Sequence, residues 1–381
     1  MDLESLYDSS CIYDKKIEYD KNYSYESGIK EYLNLLDKYN IKATIFTLLS
    51  SLDNSKDYLI DAIKNNHEVA LHGYNHSSPL EMDLDDFKAK TIEAKFRLEK
   101  ELNTKIQGFR APCFGINEEL IKTIKNLGFK YDSSSFDFPL AMKSGSIDLS
   151  HYKKISNEIY RDNDFYEFPL AKVKAYGGNI PVCGGGYIRL VPWFVIKYYI
   201  KKYIKKTDSY IFYCHPYEII KDKLPKFKGL NWKERLYLKI GRKSYIKKIE
   251  WLIKYLKKQG FEFKTMSETI KAWDIQAFNY LINNYLISNR FWYWSIIIWK
   301  IIKNRKVVWI GFKINFISFF IFIYKINFFF RIEKFNFIDK YRNFIKIILN
   351  IYIFSIIIWR IIYFYFYRFN VNPWWSNVWI L

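Results

Sequence analysis

The sequence predicts an α/β protein over its first 272 residues, in which short buried strands alternate with amphipathic helices. Apolar runs of strand length lie at residues 43–49, 68–72, 106–109, 166–170, 210–213 and 261–263. Helical patterns separate these runs. Because alternating strands and helices build parallel sheets, the pattern favours an α/β barrel or a doubly wound sheet.

Three of the helices are defined by their periodicity and by the residues at which they end. Residues 84–102 carry apolar side chains on one broad face, as a helix packed on a sheet does. Residues 117–127 end at Gly128, and residues 246–258 end just before Gly260. Glycine is preferred just after a helix because it adopts positive φ without strain. These helices therefore fit between the predicted strands.

Residues 276–381 differ in composition from the rest of the chain and form an apolar, basic tail. They are rich in Ile, Phe, Tyr, Trp, Asn and Lys, with 14 Lys and Arg against two acids. The stretches 307–330 and 344–366 are long enough to span a bilayer, but cations interrupt both, each costing about 2.5–3.5 kcal/mol at the centre. Two interpretations stay open: basic amphipathic helices on an anionic membrane surface, or a translated frameshift of AT-rich DNA. Spanning helices are a third.

The net charge of +21 does not predict nucleic-acid binding. No nucleic-acid motif accompanies the basic residues, and most lysines fit solvated helix faces. The four cysteines form no Cys-x-x-Cys pair, which favours a reduced compartment. Acids rather than a secretory signal follow Met1, so we expect a cytoplasmic protein. It would lie at the inner face of the cell membrane if the tail binds lipid.

Two histidines mark the end of the predicted strand at 68–72, in the sequence His72-Gly-Tyr-Asn-His76. One imidazole then lies at the carboxyl end of the strand and the other in the loop after it. Imidazole is a common metal ligand, and catalytic zinc usually takes three protein ligands and leaves one position for water. On a helix the same spacing would be an ordinary exposed pair, so the two histidines alone do not decide.

Three further motifs place polar groups at the chain start or just after predicted strands. They are Asp2-Leu-Glu4, Arg110-Ala-Pro112-Cys113 and His215-Pro-Tyr-Glu218. Together with the histidine pair, their order and spacing resemble the NodB-type polysaccharide deacetylases, carbohydrate esterase family 4. The Asp-x-Glu first motif and the segment Gly184-Gly-Gly-Tyr187-Ile-Arg189-Leu190 resemble the branch of that family found in exopolysaccharide gene clusters.

The resemblance implies a fold and a reaction. The fold is a distorted, incomplete (β/α) barrel, in which functional residues lie at strand carboxyl ends. The reaction is the metal-dependent hydrolysis of N-acetyl groups on hexosamine units of a surface polysaccharide or its lipid-linked precursor. The expected cofactor is one divalent metal ion, Zn²⁺ in the first instance, which supplies a water of lowered pKa and polarises the acetyl carbonyl.

The resemblance also implies a role for each matching residue. The implied metal ligands are Glu4, His72 and His76. Asp2 is then the general base, Arg110 holds that carboxylate ionised, and His215 is the general acid. Pro112 shapes its loop, and the backbone N–H of Cys113 helps to stabilise the oxyanion. Three residues are expected to support the site or to contact substrate, namely Tyr187, Arg189 and Glu218. His67 and His151 match no motif and are expected at the surface.

The sequence departs from the family pattern at three points. Gly73 stands where Ser or Thr usually follows the first histidine, which removes a hydroxyl that helps to order the loop. An Asp-x-x-Asp-Trp segment is not recognisable. Only Met1 precedes Asp2, so we expect the family's first strand to be missing, either because the start codon lies upstream or because the chain has lost a central strand.

Other functions remain open at this stage. A hydrolase of the same fold could act on a small amide. A catalytically inactive glycan-binding module becomes credible if the first strand is truly absent. A scaffold on a membrane surface is a third class, in which the tail carries the function.

Overall fold

A computed structural model describes residues 1–8, 25–136, 144–156, 158–175, 178–220, 224–225 and 229–275 of the chain. The chain divides into two units, Met1–Lys303 and Asn304–Leu381, and every described residue lies in the first. The tail predicted at 276–381, with its two long apolar stretches, lies outside the described residues. Within the part that is described, no helix is long and apolar enough to cross a bilayer.

A mixed sheet forms the centre of the first unit. Its strands are β1 (Asp2–Leu3), β2 (Thr44–Leu48), β3 (Glu68–Gly73), β4 (Gly108–Phe109), β5 (Tyr131–Asp132), β6 (Lys153–Ser156), β7 (Ile159–Asp162) and β8 (Phe165–Glu167). Their order is β1-β2-β3-β4-β5-β8-β7-β6. Strands β1 to β5 and β8 run parallel, and β7 and β6 add an antiparallel edge. The predicted α/β class with a parallel sheet is confirmed.

Helices connect the parallel strands and cover the sheet. They are α1 (Glu26–Lys38), α2 (Leu52–Lys64), α3 (Leu84–Leu102), α4 (Glu118–Asn126), α5 (Gly185–Leu190), α6 (Trp193–Ile204), α7 (Pro216–Ile219), α8 (Trp232–Lys239) and α9 (Arg242–Lys258). A hairpin of β9 (Lys172–Ala175) and β10 (Gly178–Pro181) stands apart from the main sheet. Helix α3 has the bounds that its periodicity predicted. Asp83 caps its first turn, and Asn103 ends it with φ of 47°.

The core lies between the sheet and the helices. All five residues of β2 are buried, as expected for a parallel strand that is covered on both faces. Helix α4 buries Leu120, Ile121 and Ile124 and leaves its acids in solvent. Burying an aliphatic side chain of this size contributes about 1.5–3 kcal/mol. This packing fixes the strand ends, where the candidate site residues lie.

The barrel is closed by single backbone hydrogen bonds rather than by complete strands. Val182 N donates to Ala171 O at 2.9 Å, Tyr213 N to Cys183 O at 2.8 Å, and Asp2 N to Cys214 O at 2.9 Å. These bonds connect the segment after β8 back to β1. The expected distorted, incomplete barrel is therefore the fold of the first unit.

Two predicted strands are wrong. Residues 210–213 make only one bridge, between Tyr213 and Gly184. The strand pairing cannot extend, because the segment beside Tyr213 enters helix α5 directly after Gly184, which has φ of 133°. Residues 261–263 have a strand-like alternation but pair with no strand among the described residues. There the N–H of Phe261 instead donates to Leu256 O and closes the end of α9.

The start and the end of the predicted catalytic domain also differ from expectation. Asp2 and Leu3 form the short strand β1, so the first sheet position, expected to be missing, is occupied. At the other end, residues 266–275 are helical and continue past the predicted boundary at residue 272. Trp273 stacks on Tyr166 and Phe168, with ring centroids 6.2 and 6.3 Å apart. The described fold therefore includes Trp273.

Candidate metal and acid–base site

Asp2 and Glu4 lie at the carboxyl end of β1, and both carboxylates are buried. Side chains two residues apart in an extended segment project to the same side, so both acids enter one pocket. Leu3 between them is fully buried in the hydrophobic core. Leu3 therefore points into the core and anchors the segment, while Asp2 and Glu4 point to the opposite side.

His72 lies near the carboxyl end of β3, and His76 follows in the next loop. The turn between them depends on Gly73, which has φ of 118°. A Cβ atom at Gly73 would also lie 2.9 Å from Cγ of Pro112. Glycine at this position is therefore required by the backbone and by the neighbouring loop. This explains why the usual Ser or Thr is absent.

Glu4, His72 and His76 converge on one point. The distance from Glu4 Oε2 to His76 Nε2 is 2.6 Å, and that to His72 Nε2 is 3.6 Å. His72 Nδ1 donates to Arg110 O at 2.8 Å, which leaves the lone pair of Nε2 facing the carboxylate. The three ligand atoms lie within 4.8 Å of one another.

This donor set fits a divalent metal ion. Ligands about 2.0–2.2 Å from a tetrahedral metal are separated by roughly 3.3 Å, a value between the 2.6 and 3.6 Å found here. Glu4 Oε2 is also a buried oxygen whose polar neighbours are the two imidazole nitrogens, 2.6 and 3.6 Å away. A divalent cation between these three atoms would satisfy the carboxylate and both imidazole lone pairs at once.

Asp2 is paired with Arg110 on the other side of this cluster. Arg110 NH1 donates to Asp2 Oδ1 at 2.6 Å, and both side chains are 1% exposed. Burial opposes the charged form of Asp2. The Arg110 guanidinium and His72 outweigh it, so the pKa of Asp2 is held below its usual value. Asp2 is therefore an ionised base at neutral pH.

Arg110 is held rigidly by groups that the sequence analysis did not single out. Its Nε donates to Ser133 O at 3.0 Å, and its NH2 to Ser133 Oγ at 2.8 Å. The guanidinium also lies 4.1 Å from the ring centre of Phe46. Ser134 Oγ accepts from Ala111 N at 2.7 Å and so fixes the start of the next loop. In the sequence, these serines could have been noticed only because they closely follow Phe129 and Tyr131, an alternating apolar pattern typical of a strand.

The loop after Arg110 presents a backbone donor. Cys113 has φ of 55°, a left-handed conformation that turns its peptide group. Among the described residues, its N–H donates to no acceptor. Its thiol lies 3.8 Å from His76 Nδ1. Pro112 contacts the turn at Gly73, so this loop and the histidine loop support each other.

His215 faces the same cluster from the end of the segment 210–215. Its Nε2 lies 3.3 Å from Glu4 Oε1, and its Nδ1 lies 2.9 Å from Glu218 Oε2. Burial disfavours the charged ring, but Glu4 and Glu218 outweigh it, and the pKa of His215 is raised above its usual value. The structure therefore brings His215 together with the three predicted metal ligands, the predicted base Asp2 and its partner Arg110.

The three residues expected to support the site or to contact substrate divide into two groups. Arg189 and Glu218 are buried and bond to each other at 2.9 Å, behind His215. Glu218 also lies 2.9 Å from His215 Nδ1, so the place of this pair fits support of His215. Tyr187 is half-buried, and its ring centre lies 6.3 Å from that of Phe136.

The two histidines expected at the surface differ. His151 is exposed, as predicted. His67 is buried, and its Nδ1 accepts a hydrogen bond from Ala43 N at 3.2 Å. The surface assignment of His67 was therefore wrong, because the ring closes the contact between the end of α2 and the start of β2.

Sequence reasoning also missed a buried carboxyl pair. Asp132 and Glu167 are fully buried partners on β5 and β8. Burial raises the pKa of Asp132 to about 6, and burial together with Asp132 raises the pKa of Glu167 well above its usual value. Asp132 accepts from Ser134 N and Ser134 Oγ, so the pair supports the serines beside Arg110.

Comparisons with known proteins find relatives for parts of the chain. Residues 16–131 match the family profile described as "Polysaccharide deacetylase", and residues 134–271 match "Domain of unknown function (DUF3473)". The peptidoglycan deacetylase of Helicobacter pylori is 32% identical over 113 residues, which are 29% of this chain and 37% of that protein. The chain thus spans little more than a third of this curated relative.

Solved structures overlap with the chain in part. A Mycobacterium smegmatis protein assigned as a polysaccharide deacetylase has a TM-score of 0.45 at 16% identity, covering 66% of this chain and 78% of its own. A Pseudomonas aeruginosa protein with the same assignment has a TM-score of 0.42 at 16% identity, covering 65% and 74%. The barrel topology described above rests on this chain's own strand order. The profile match identifies residues 16–131 as part of a polysaccharide deacetylase domain of the NodB type, carbohydrate esterase family 4.

Proposed function

We propose that this protein removes acetyl groups from N-acetylhexosamine units of a surface polysaccharide, in a metal-dependent hydrolysis. One observation carries the proposal. Glu4, His72 and His76 form a metal-binding set whose neighbours on either side are an ionised Asp2 and the ring of His215. A hydrolase of an amide needs all three functions in one pocket: activation of water, a base and an acid.

The metal would be held by Glu4, His72 and His76, with Zn²⁺ as the expected ion for two imidazoles and one carboxylate. When bound, the metal lowers the pKa of a water molecule and polarises the acetyl carbonyl. The protein's own groups carry the proton transfers. His72 is aimed by its bond to Arg110 O, and Glu4 is held by its position after β1.

Asp2 is the base that takes the proton from the attacking water. Its pKa is low in the folded protein because Arg110 stabilises the carboxylate, so it stays charged at neutral pH. Attack on the acetyl carbon places negative charge on the carbonyl oxygen. The free N–H of Cys113 is the backbone group available to donate to that oxygen.

His215 is the acid that protonates the leaving amine. An amine expelled from the tetrahedral intermediate needs a proton, and a positioned acid supplies about 10²–10⁴-fold in rate. Glu4 and Glu218 raise the pKa of His215 above its usual value, which favours the protonated ring that an acid needs, and its Nε2 is directed to the carboxylate cluster. After His215 has given up this proton, the ring is neutral and must be protonated again before the next turnover.

The substrate class and the location rest on further observations. The relative from H. pylori is named for peptidoglycan, and the Gly184–Leu190 segment matches the exopolysaccharide branch. We therefore propose an N-acetylated polysaccharide or its lipid-linked precursor as substrate. We also propose a cytoplasmic protein at the inner membrane face. The basic tail supports this, as does helix α6, which exposes Phe194 and Tyr198 beside lysines.

Acetate release from defined substrates tests the function. The full chain with added zinc should release acetate from chito-oligosaccharides, and Asp2→Asn should release almost none. Allantoin serves as the small-amide alternative. Release of acetate by wild type and Asp2→Asn alike, or turnover of allantoin alone, would contradict the proposal. Sedimentation with vesicles of anionic lipid, repeated at high salt, tests the location.

A further inference from the structure

We infer that Glu218 and Arg189 are positioning residues, which hold His215 so that its Nε2 points at the substrate's leaving amine; the inference rests on the proposed function. Both side chains are buried, and the two oxygens of the Glu218 carboxylate are bonded to Arg189 and His215. Their effect on the reaction must therefore act through His215.

Glu218 fixes His215 through two bonds. Glu218 Oε2 accepts from the ring Nδ1 at 2.9 Å and from the backbone N of His215 at 3.3 Å. A carboxylate only accepts, so the ring carries a proton on Nδ1 and turns Nε2 towards Glu4 Oε1, 3.3 Å away. Tyr217 stacks on the ring, with centroids 5.1 Å apart and an interplanar angle of 9°. The position and the plane of the imidazole are both set.

Arg189 holds Glu218 in turn. Its Nε donates to Glu218 Oε1 at 2.9 Å, and its NH1 donates to Tyr237 O at 2.8 Å and to Ile240 O. These carbonyls lie at the end of α8. Arg189 is part of α5. Its guanidinium therefore links α5 to α8 and to the short helix α7, which begins just after His215.

Helix α5 is itself fixed at its carboxyl end. Lys248 of α9 donates to Ile188 O at 3.2 Å, to Arg189 O at 2.9 Å and to Val191 O at 2.7 Å. A Cβ atom at Gly241 would lie 2.2 Å from Arg189 O, so the start of α9 packs directly on the backbone of Arg189. The relay from His215 back to α9 consists of buried groups on regular elements. Such support is what precise placement of a catalytic group requires.

Electrostatics explains why the relay needs both members. A buried carboxylate is costly unless it is paired and hydrogen-bonded. Arg189 neutralises Glu218 and occupies the oxygen that His215 does not use. Without Arg189, Glu218 would be free to rotate or to take up a proton, and His215 would lose its acceptor. The Gly184–Leu190 segment is thereby tied to the acid of the reaction.

A purely structural role is the alternative, because Glu218 also caps α7. It stands at the third position of that helix and completes a capping box with His215. Glu234 provides a matched control. It stands at the same position of a capping box in α8, where its Oε2 accepts from Asn231 N at 2.9 Å. Glu234→Gln therefore removes a comparable cap that holds no histidine.

Nuclear magnetic resonance of the full chain tests the orientation without any turnover. The chain has five histidines, so ¹⁵N labelling of histidine gives few signals, and His215→Ala identifies the one sought. Wild type and Glu234→Gln should show a low-field proton on Nδ1 of His215, typical of a ring N–H bonded to a carboxylate. Glu218→Gln should lose or shift it. A spectrum unchanged in Glu218→Gln overturns the inference, whether or not the protein is a deacetylase.

Kinetics on two leaving groups tests the consequence. An N-acetyl glycan expels an amine, which needs a proton, whereas 4-nitrophenyl acetate expels a phenolate, which does not. Glu218→Gln and Arg189→Met should lower kcat on the glycan by about 10–100-fold with KM little changed, the effect expected when an orienting partner of an active-site histidine is lost. Turnover of the aryl ester should be nearly retained.

Three results bear on the inference separately from the proposed function. An equal loss on both substrates, or no loss on the glycan, would show that Glu218 does not act through proton donation. Lower kcat in Glu234→Gln of the same size would assign the effect to capping alone. A wild-type protein that releases acetate from no glycan would instead refute the proposed function, and the magnetic resonance result would still decide the orientation.

Discussion

Replacing Arg110 with methionine tests the buried ion pair on which the base depends. Arg110 and Asp2 are each 1% exposed and 2.6 Å apart, so water screens their interaction very little. Methionine keeps much of the volume and the contact with Phe46 but removes all the donors. The Asp2 carboxylate then stays buried without a cation, and Ser133 loses the guanidinium that bonds its O and Oγ.

The expected loss of stability is large. Removing one partner of a buried, hydrogen-bonded ion pair costs about 3–5 kcal/mol, because the other charge is left uncompensated. If Asp2 takes up a proton instead, the same free energy corresponds to a rise of its pKa by about 2–4 units, at about 1.36 kcal/mol for each unit. Either outcome removes an ionised base at neutral pH, so Arg110→Met should release almost no acetate.

The loss should depend on pH with a definite sign. The folded pKa of Asp2 lies below its unfolded value, so the pair contributes stability above about pH 4 and loses it as pH falls through the folded pKa. Arg110→Met abolishes that contribution. The gap in stability between wild type and Arg110→Met should therefore be widest near neutral pH and narrow as the solution is acidified.

Urea unfolding followed by tryptophan fluorescence measures these differences. Arg97→Met is the control, since Arg97 pairs with Glu101 at 3.0 Å on an exposed helix face and should matter little. The double variant Asp2→Asn with Arg110→Met should be more stable than Arg110→Met, because no unpaired charge remains. An Arg110→Met protein that unfolds at the same urea concentration as Arg97→Met would refute the reasoning. So would a double variant that is less stable than Arg110→Met.

Further predictions follow from the same geometry. His76→Ala should lose most bound zinc, measured by equilibrium dialysis, and unchanged zinc content would remove His76 from the metal site. His215→Ala should keep its zinc but lose about 10²–10⁴-fold in turnover of the glycan; a near-normal rate would place the acid elsewhere. Burial raises the folded pKa of Asp132 to about 6. The protonated carboxyl therefore contributes stability at low pH, and this contribution is lost as pH rises through 6. Glu167→Gln removes the second buried acid with a raised pKa, so it should flatten the fall of the urea midpoint with rising pH, and an unchanged slope would contradict the raised pKa of Glu167. A chain ending at Ile275 should keep zinc binding and turnover of soluble glycans, and loss of either would show that the tail supports the site.

The sequence motifs predicted which residues lie together better than the apolar runs predicted the strands around them. His72, Arg110 and His215 stand at segment ends that short apolar runs and their motifs define locally. Residues 210–213 and 261–263 have the local pattern of strands, but a strand also needs a neighbouring segment to pair with. The segment beside residues 210–213 turns into helix α5 after Gly184, and no local pattern reveals this. Tertiary context overrode propensity there.

Supporting residues were harder to predict for a related reason. Ser133 and Glu167 gain their roles from neighbours 23 to 35 residues away in the chain, on adjacent strands. Arg189 and Glu218 matched a family segment, but their motif could not distinguish contact with substrate from support of His215. The bonds that join Arg189 to Glu218 and Glu218 to His215 make that distinction.

The most direct test of the central claim is a zinc titration of the chain after metal removal, with acetate release from chito-oligosaccharides as the readout. Wild-type activity should rise from near zero and level off at about one zinc ion per chain, the number that one set of Glu4, His72 and His76 can hold. Glu4→Gln should shift the rise to much higher zinc concentration. Full activity in the metal-free protein, or the same titration curve for Glu4→Gln, would contradict the account.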